Sequence, residues 1–248
     1  MHNMYQSKHG VRPSNARRAF VFERVIDDIY RMPWERLSNH EVLKIAKVYY
    51  YFSIQFRENL TIACQLHPHD ENLKKLYREE VDTDNLSPFP GITKIGERVN
   101  HDEFMKRLLL LTPVSQESLL EQAGMSYLLK VRQIDANIRA KSIASYEDGG
   151  LSTVFSAMLR APTWQGAGQQ AFRFFLEEHI KFDTDVDEGH GALSRHLGRS
   201  DDILPLWIAF RELLMTAAPV LAEAPPDIEA TRRDPGFRPS AVSLNSVA

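Results

Sequence analysis

Ionisable side chains interrupt apolar helical stripes at four places in this 248-residue chain. Residues at i, i+3, i+4 and i+7 share one face of a helix. Leu73, Leu76, Tyr77 and Glu80 have that spacing, which turns Glu80 inward and Glu79 outward. His101 shares a face with Phe104, Met105, Leu108 and Leu111, and Glu147 follows the stripe Ala136, Ala140, Ile143. A fourth stripe reads Phe172, Phe175, His179, Asp183, Val186, His190, Leu193, Leu197, with Asp187 at its edge. A carboxylate kept ionised in an apolar core without a partner costs several kcal/mol. Several such groups converging on one interior need a common solution, and a bound cation is one. Helical bundles build two-metal sites from inward Glu and His on facing helices. Imidazole plus carboxylate also suits non-heme iron.

Each of these residues has a plainer reading. A single inward His is an ordinary core residue when its ring nitrogens are satisfied. An inward Glu can pair with an arginine, and Arg57, Arg132 and Arg139 are available. Asp183, Asp185, Asp187 and Glu188 can form a solvated acidic turn. Cys64 sits in an apolar helical pattern and reads as a small core residue. The pair of Glu-x-x-His motifs of ferritin-type sites is missing, as is His-Glu-x-x-His. Neither a dinucleotide-binding glycine motif nor a phosphate-binding loop is present.

The elements that must hold these residues are helices. Of 13 prolines, none falls in 34–67, 114–161 or 163–204, and glycines number only 12. Long windows without a helix breaker predict an all-α chain. Ser14 is a candidate cap for a helix ending before Pro33. Ser38 and Glu41 form a capping box for a helix reaching Leu66, and Asp70 caps one over 71–81. Further helices are expected over 97–111, 116–123, 126–147, 151–160, 169–197 and from Ser200 or Asp201 to Leu221. The expected organisation is a flexible N-terminus at 1–13, one helical domain at 14–222 and a disordered tail at 223–248. A net charge of −3 gives no electrostatic footprint for nucleic acid. One cysteine and a polar N-terminus without an apolar core segment predict a cytoplasmic protein with neither disulfide nor signal peptide, and no apolar run approaches membrane-spanning length.

The series Leu76-Tyr77-Arg78-Glu79-Glu80, His101, Glu147, and Phe174 to Asp183 through His190 resembles the heme-oxygenase-like diiron oxidases. That family's ligand order is Glu, His, Glu, then His-x-x-x-Asp and a further His. The resemblance covers roughly 45–197. It implies a heme-oxygenase-like bundle of about seven to nine helices. It also implies two Fe(II) ions held by Glu80, His101, Glu147, His179, Asp183 and His190, with O₂ as co-substrate. In two respects the chain departs from the pattern. Glu80 and His101 are separated by a proline-containing loop, which leaves Glu97 as a rival carboxylate. Val186 stands where many members have the last His, which leaves Asp183, Asp187 and His190 as the alternative occupants of the three places; Glu79 is a further rival to a listed ligand.

What members do is implied by the same resemblance: O₂-dependent oxidation of unactivated C–H bonds in amino acids or fatty acids. The chain is similar to the subgroup containing the azetidine-forming enzyme of polyoxin biosynthesis. That implies desaturation or ring closure of a small aliphatic amino acid in natural-product biosynthesis, with an external electron donor and a homodimer as further possibilities. Arg57 is the candidate clamp for a substrate carboxylate, and Tyr49, Tyr50, Phe52, Phe56 and Phe172 are candidate walls. The alternatives are N-oxygenation or decarboxylation of another substrate, a metal-free cofactor-ring oxidase, or a thiaminase-like enzyme using Cys64. Heme oxygenase itself would need His9 or His40. A non-enzymatic binding module would leave the inward carboxylates without a purpose.

Overall fold

The structure is a computed structural model describing residues 20–183 and 189–223, with side chains described for all of these except 182 and 183. The expected flexible start and all but the first residue of the expected tail lie outside the described residues. So does Ser14, the cap expected for the first helix.

Among the described residues the chain is all-helical, and nine helices have eight or more residues. Helix α1 spans Val21–Arg31, and α2 spans Asn39–Leu66 behind the Ser38–Glu41 capping box. Helix α3 (Glu71–Val81) starts where the Asp70 carboxylate accepts from the Leu73 N–H at 3.1 Å. After a loop come α4 (His101–Leu111), α5 (Glu117–Arg132) and α6 (Ala136–Ser145). A π-helical turn, Tyr146–Gly150, leads into α7 (Leu151–Met158). The chain continues through α8 (Ala167–Asp183), a short α9 (His190–Ser194) and α10 (Leu204–Ala217).

Four boundaries differ from the sequence expectation, each for a local reason. Helix α4 begins at His101 because the Asn100 side chain caps it, accepting from the Glu103 N–H at 2.8 Å. Helix α5 runs straight through Gly124, where a stop was expected. A Cβ at Gly124 would lie 2.1 Å from the Tyr51 ring, so the glycine permits close approach of α5 to α2. The expected helix over 126–147 is instead two, divided where Asp135 caps α6 by accepting from the Asn137 N–H at 2.9 Å. The expected helix over 169–197 is also two: α8, then α9 entered through an extended Gly189.

Gly124→Ala should therefore destabilise the fold, by about 1–3 kcal/mol from overpacking. Helix propensity alone would favour alanine by about 1 kcal/mol. Thermal unfolding reads the sign, and a stabilised variant would contradict the packing account.

Helix α2 is apolar on nearly every side and packs against α3, α4, α5, α6, α8 and α10. Tyr49 is ringed by Phe155, Phe172, Phe175 and Phe210, and Phe52 stacks on Phe210 at 4.2 Å. These aromatic contacts tie α7, α8 and α10 to one central helix. A polar seam fixes α6 against α2. The Arg139 guanidinium donates to Asn59 at 2.8 Å and to Glu58 at 3.0 Å, and Arg132 also reaches Glu58. Two of the three arginines available for an inward glutamate, Arg132 and Arg139, are thus spent on Glu58. No described helix is long and apolar enough to cross a membrane.

Candidate metal centre

Five of the six residues that the resemblance marks as ligands meet in the core. Glu80 comes from the last turn of α3 and His101 from the first of α4. His179 comes from α8, Glu147 from the π turn, and His190 opens α9. All five are buried. Asp183 ends α8, but its side chain lies outside the described residues, as does all of Asp187.

Glu80 sits at the middle and divides its two oxygens. Its Oε2 is 2.7 Å from His101 Nδ1, and His101 Nδ1 is 3.1 Å from His179 Nε2. Its Oε1 is 2.9 Å from His190 Nδ1, which lies 3.2 Å from Glu147 Oε2. Two groups that could each hold a metal ion result: Glu80, His101 and His179, and Glu80, Glu147 and His190. The ligand atoms of each group lie within 4.8 Å of one another. Glu80 belongs to both.

The buried carboxylates and imidazoles shift one another strongly. Burial pushes the Glu80 carboxyl up, but the imidazoles of His101 and His190 outweigh burial and hold it well below the usual carboxylate range. Glu147 is raised, chiefly by burial and further by the Glu80 charge, against a hydrogen bond to His190. Burial works against a charged His190, yet Glu80 and Glu147 together push it up to about 12. An imidazolium thus sits between two carboxylates where a metal ion would otherwise neutralise them. His179 is pushed down to about 3 by burial and the neighbouring His101. Its Nδ1 lies 2.6 Å from the Phe175 carbonyl. The neutral ring therefore donates from Nδ1 and keeps the Nε2 lone pair toward the cluster, the backbone-carbonyl arrangement that orients metal-ligating histidines.

The donor set fits a metal. Carboxylates and imidazoles are the oxygen and nitrogen donors of first-row transition metals. His101 Nε2 is buried and makes no hydrogen bond. Buried polar atoms of this kind are rare in folded proteins and call for a partner.

The π turn explains how Glu147 reaches the cluster. Asp148 and Gly149 leave the helical region, Gly149 at φ 91°. A Cβ at Gly150 would lie 2.1 Å from the Ser145 carbonyl oxygen, so the turn requires glycine there. Asp148 accepts from Arg195 at 2.9 Å, which binds the turn to the segment after α9. Gly149-Gly150 reads in sequence as a helix stop, and nothing in the residue pattern distinguishes a stop from a π turn.

Two of the three rival ligands fall within the described residues. Glu97 is held by Arg107 at 2.7 Å, in the loop before α4. Glu79 is part-exposed at the rim, with Oε2 3.6 Å from His190 Nε2. The fork of Arg57 is taken by Asp102, at 2.9 Å through Nε and 3.0 Å through Nη2. Arg57 thereby holds α2 to the first turn of α4, one residue from His101. Cys64 is half-buried, its Sγ 3.6 Å from the Leu73 carbonyl, and burial pushes its thiol up, the opposite of an activated nucleophile. His40 is exposed and bonded to Ser115, and His9 lies outside the described residues.

Two wall residues were not singled out as such by sequence reasoning. The Phe175 ring lies 4.0 Å from that of His179 and 5.6 Å from that of His101, and Phe155 lies 5.7 Å from His179. Stripe spacing marks Phe175 as core, and only the fold sets it and Phe155 against imidazoles. No protein-family model, curated protein or solved structure matches this chain.

Proposed function

We propose that this protein is a non-heme iron oxidase of the heme-oxygenase-like diiron type, using O₂ to oxidise an unactivated C–H bond of a small aliphatic amino acid. The observation that carries the reading is Glu80, whose two oxygens face separate groups of buried imidazole and carboxylate donors. His101 and His179 would hold one iron with Glu80. Glu147 and His190 would hold the other, and Asp183 is proposed as the sixth ligand. When bound, the iron pair supplies the redox capacity for O₂ that no side chain has.

The protein's part is orientation and exclusion. Glu80 fixes the spacing of the two positions. The Phe175 carbonyl fixes the tautomer of His179. Phe155 and Phe175 pack against the His179 ring and would shield that side from water. His190 has to give up its proton before it can serve as a ligand, so metal binding is linked to proton release. Desaturation removes two electrons and two protons from the substrate, while reduction of O₂ to water takes four of each. An external donor would supply the remainder. The assignment to amino acids, and to azetidine formation in natural-product biosynthesis, rests on the family resemblance.

The test is O₂ uptake by protein loaded with Fe(II) under anaerobic conditions. Uptake should depend on the iron and rise when a branched aliphatic amino acid is added. Uptake no faster than that of free Fe(II), for a panel of amino and fatty acids, would overturn the oxidase reading.

A further inference from the structure

Two of the candidate ligands stand where a backbone is least fixed by its own helix. His101 is the first residue of α4, and Glu147 lies in the π turn between α6 and α7. Helix ends fray, and the turn leaves the helical region at Asp148 and Gly149. His179 differs, because it lies inside α8 with its ring held by the Phe175 carbonyl.

Each of these two ligands is followed in the chain by an aspartate that an arginine from another element holds. Asp102 follows His101. Its two oxygens take both arms of the Arg57 fork on α2, Oδ1 from Nε at 2.9 Å and Oδ2 from Nη2 at 3.0 Å. Successive residues on a helix point about 100° apart. His101 therefore turns into the core while Asp102 reaches the flank of α4. Asp148 follows Glu147. Its Oδ1 accepts from Arg195 Nε at 3.2 Å and from Nη2 at 2.9 Å. Arg195 opens the 3-10 turn that continues α9, the helix that His190 begins. The pair thus joins the element carrying Glu147 to the one carrying His190. The two backbones also touch there: a Cβ at Gly191 would lie 3.1 Å from the Glu147 carbonyl oxygen and 3.2 Å from Asp148 Cα.

These pairs are too open to water to matter much to the fold. The Arg57 and Arg195 side chains are 39% and 51% exposed, and ion pairs at such exposure add little to stability. Their value lies in geometry. A bidentate guanidinium–carboxylate pair fixes orientation as well as distance, and a metal site works only when its ligands are held to a fraction of an ångström.

We infer that Asp102 and Asp148 are positioning residues, one for each metal position. Asp102, locked by Arg57, places His101 for the Glu80–His101–His179 group. Asp148, locked by Arg195, places Glu147 against His190 for the Glu80–Glu147–His190 group. The inference rests on the reading of these two groups as metal positions.

Fe(II) affinity measured at one position at a time tests it, by anaerobic titration of the full-length chain against a competing chelator. His179→Ala leaves the Glu80–Glu147–His190 position to be measured. In that background Asp148→Asn should weaken Fe(II) binding about tenfold, the lower end of the range for residues that orient a ligand, and Asp102→Asn should leave it unchanged. His190→Ala leaves the other position, and there the two effects should exchange. Arg57→Lys keeps the charge and loses the fork, so it should act as Asp102→Asn does. Circular dichroism should show the same helical content throughout. Two aspartate variants that weaken both positions alike, or neither, would make these ordinary surface ion pairs and overturn the inference. So would a His179→Ala or His190→Ala parent that binds no iron while the wild type binds two, since positions that fill only together have no separate supports. A wild type that binds no iron removes the metal reading itself, and the inference with it.

Discussion

Glu80→Ala is expected to empty both metal positions at once and reduce O₂-dependent turnover to background. No other single ligand should do so. Glu80 contributes one oxygen to each group of donors, Oε2 toward His101 and Oε1 toward His190. Losing an outer partner of a metal ligand costs about 10–100-fold in affinity. Losing a ligand that serves two ions should exceed about 100-fold at each. His101→Ala or His179→Ala should weaken one position, and His190→Ala or Glu147→Ala the other. Asp183→Ala should lose activity with the helical fold kept. The metal-free protein should also feel the change at Glu80. Glu80 is the chief counter-charge to buried His190, and breaking a buried pair from one side costs about 3–5 kcal/mol. Iron titration followed by elemental analysis separates the variants. A Glu80→Ala protein that still binds one iron tightly would show that the two groups do not share this carboxylate.

Gly150→Ala should cost more than an ordinary glycine substitution, because the methyl group meets backbone. The added Cβ would lie 2.1 Å from the Ser145 carbonyl oxygen and 2.9 Å from Trp207 Cζ2. Trp207 is fully buried, packed on Tyr146 at 5.0 Å, and its indole N–H donates to Ser145 Oγ at 3.1 Å. Neither neighbour has room to move, so the π turn must deform. Overpacking of this kind costs about 3 kcal/mol, and each kcal/mol lowers the Tm of a chain this size by about 2–4 °C. The turn also delivers Glu147, so iron should weaken selectively at the Glu147–His190 position. Gly124→Ala is the control. Its clash with Tyr51 should lower the Tm while leaving both positions intact. Equal effects of the two variants on iron binding would mean that the π turn has no particular bearing on the site.

Much of this arrangement is legible in the sequence because its information is local. The Ser38–Glu41 box and the Asp70 cap set the starts of α2 and α3, and each capping bond spans three residues. Glu80, His101 and His179 each lie within one helix among apolar neighbours at three- and four-residue spacing, so the inward side can be counted directly. The breaks are less legible. His179 and His190 are 11 residues apart, close to three helical turns. An unbroken helix and a break followed by α9 therefore place both on the same side. At Gly124 and Gly150 the glycine is required by an atom distant in sequence or by a π hydrogen-bond ring, which no residue pattern announces. The fate of the arginines is likewise tertiary. Arg57, Arg132 and Arg139 all had the chemistry to neutralise an inward glutamate, and the fold assigns them to Asp102 and Glu58. What remains at the centre, among the described residues, is a set of carboxylates and imidazoles without an arginine, the chemistry that a metal ion would complete.

The most direct test of the central claim is the metal content of the full-length protein after anaerobic loading with Fe(II) and removal of unbound iron. With five buried donors in two groups sharing Glu80, the account predicts about two irons per chain. Below about 0.5 iron per chain, with circular dichroism showing the helical fold intact, the cluster would be a buried ion-pair network and not a metal site.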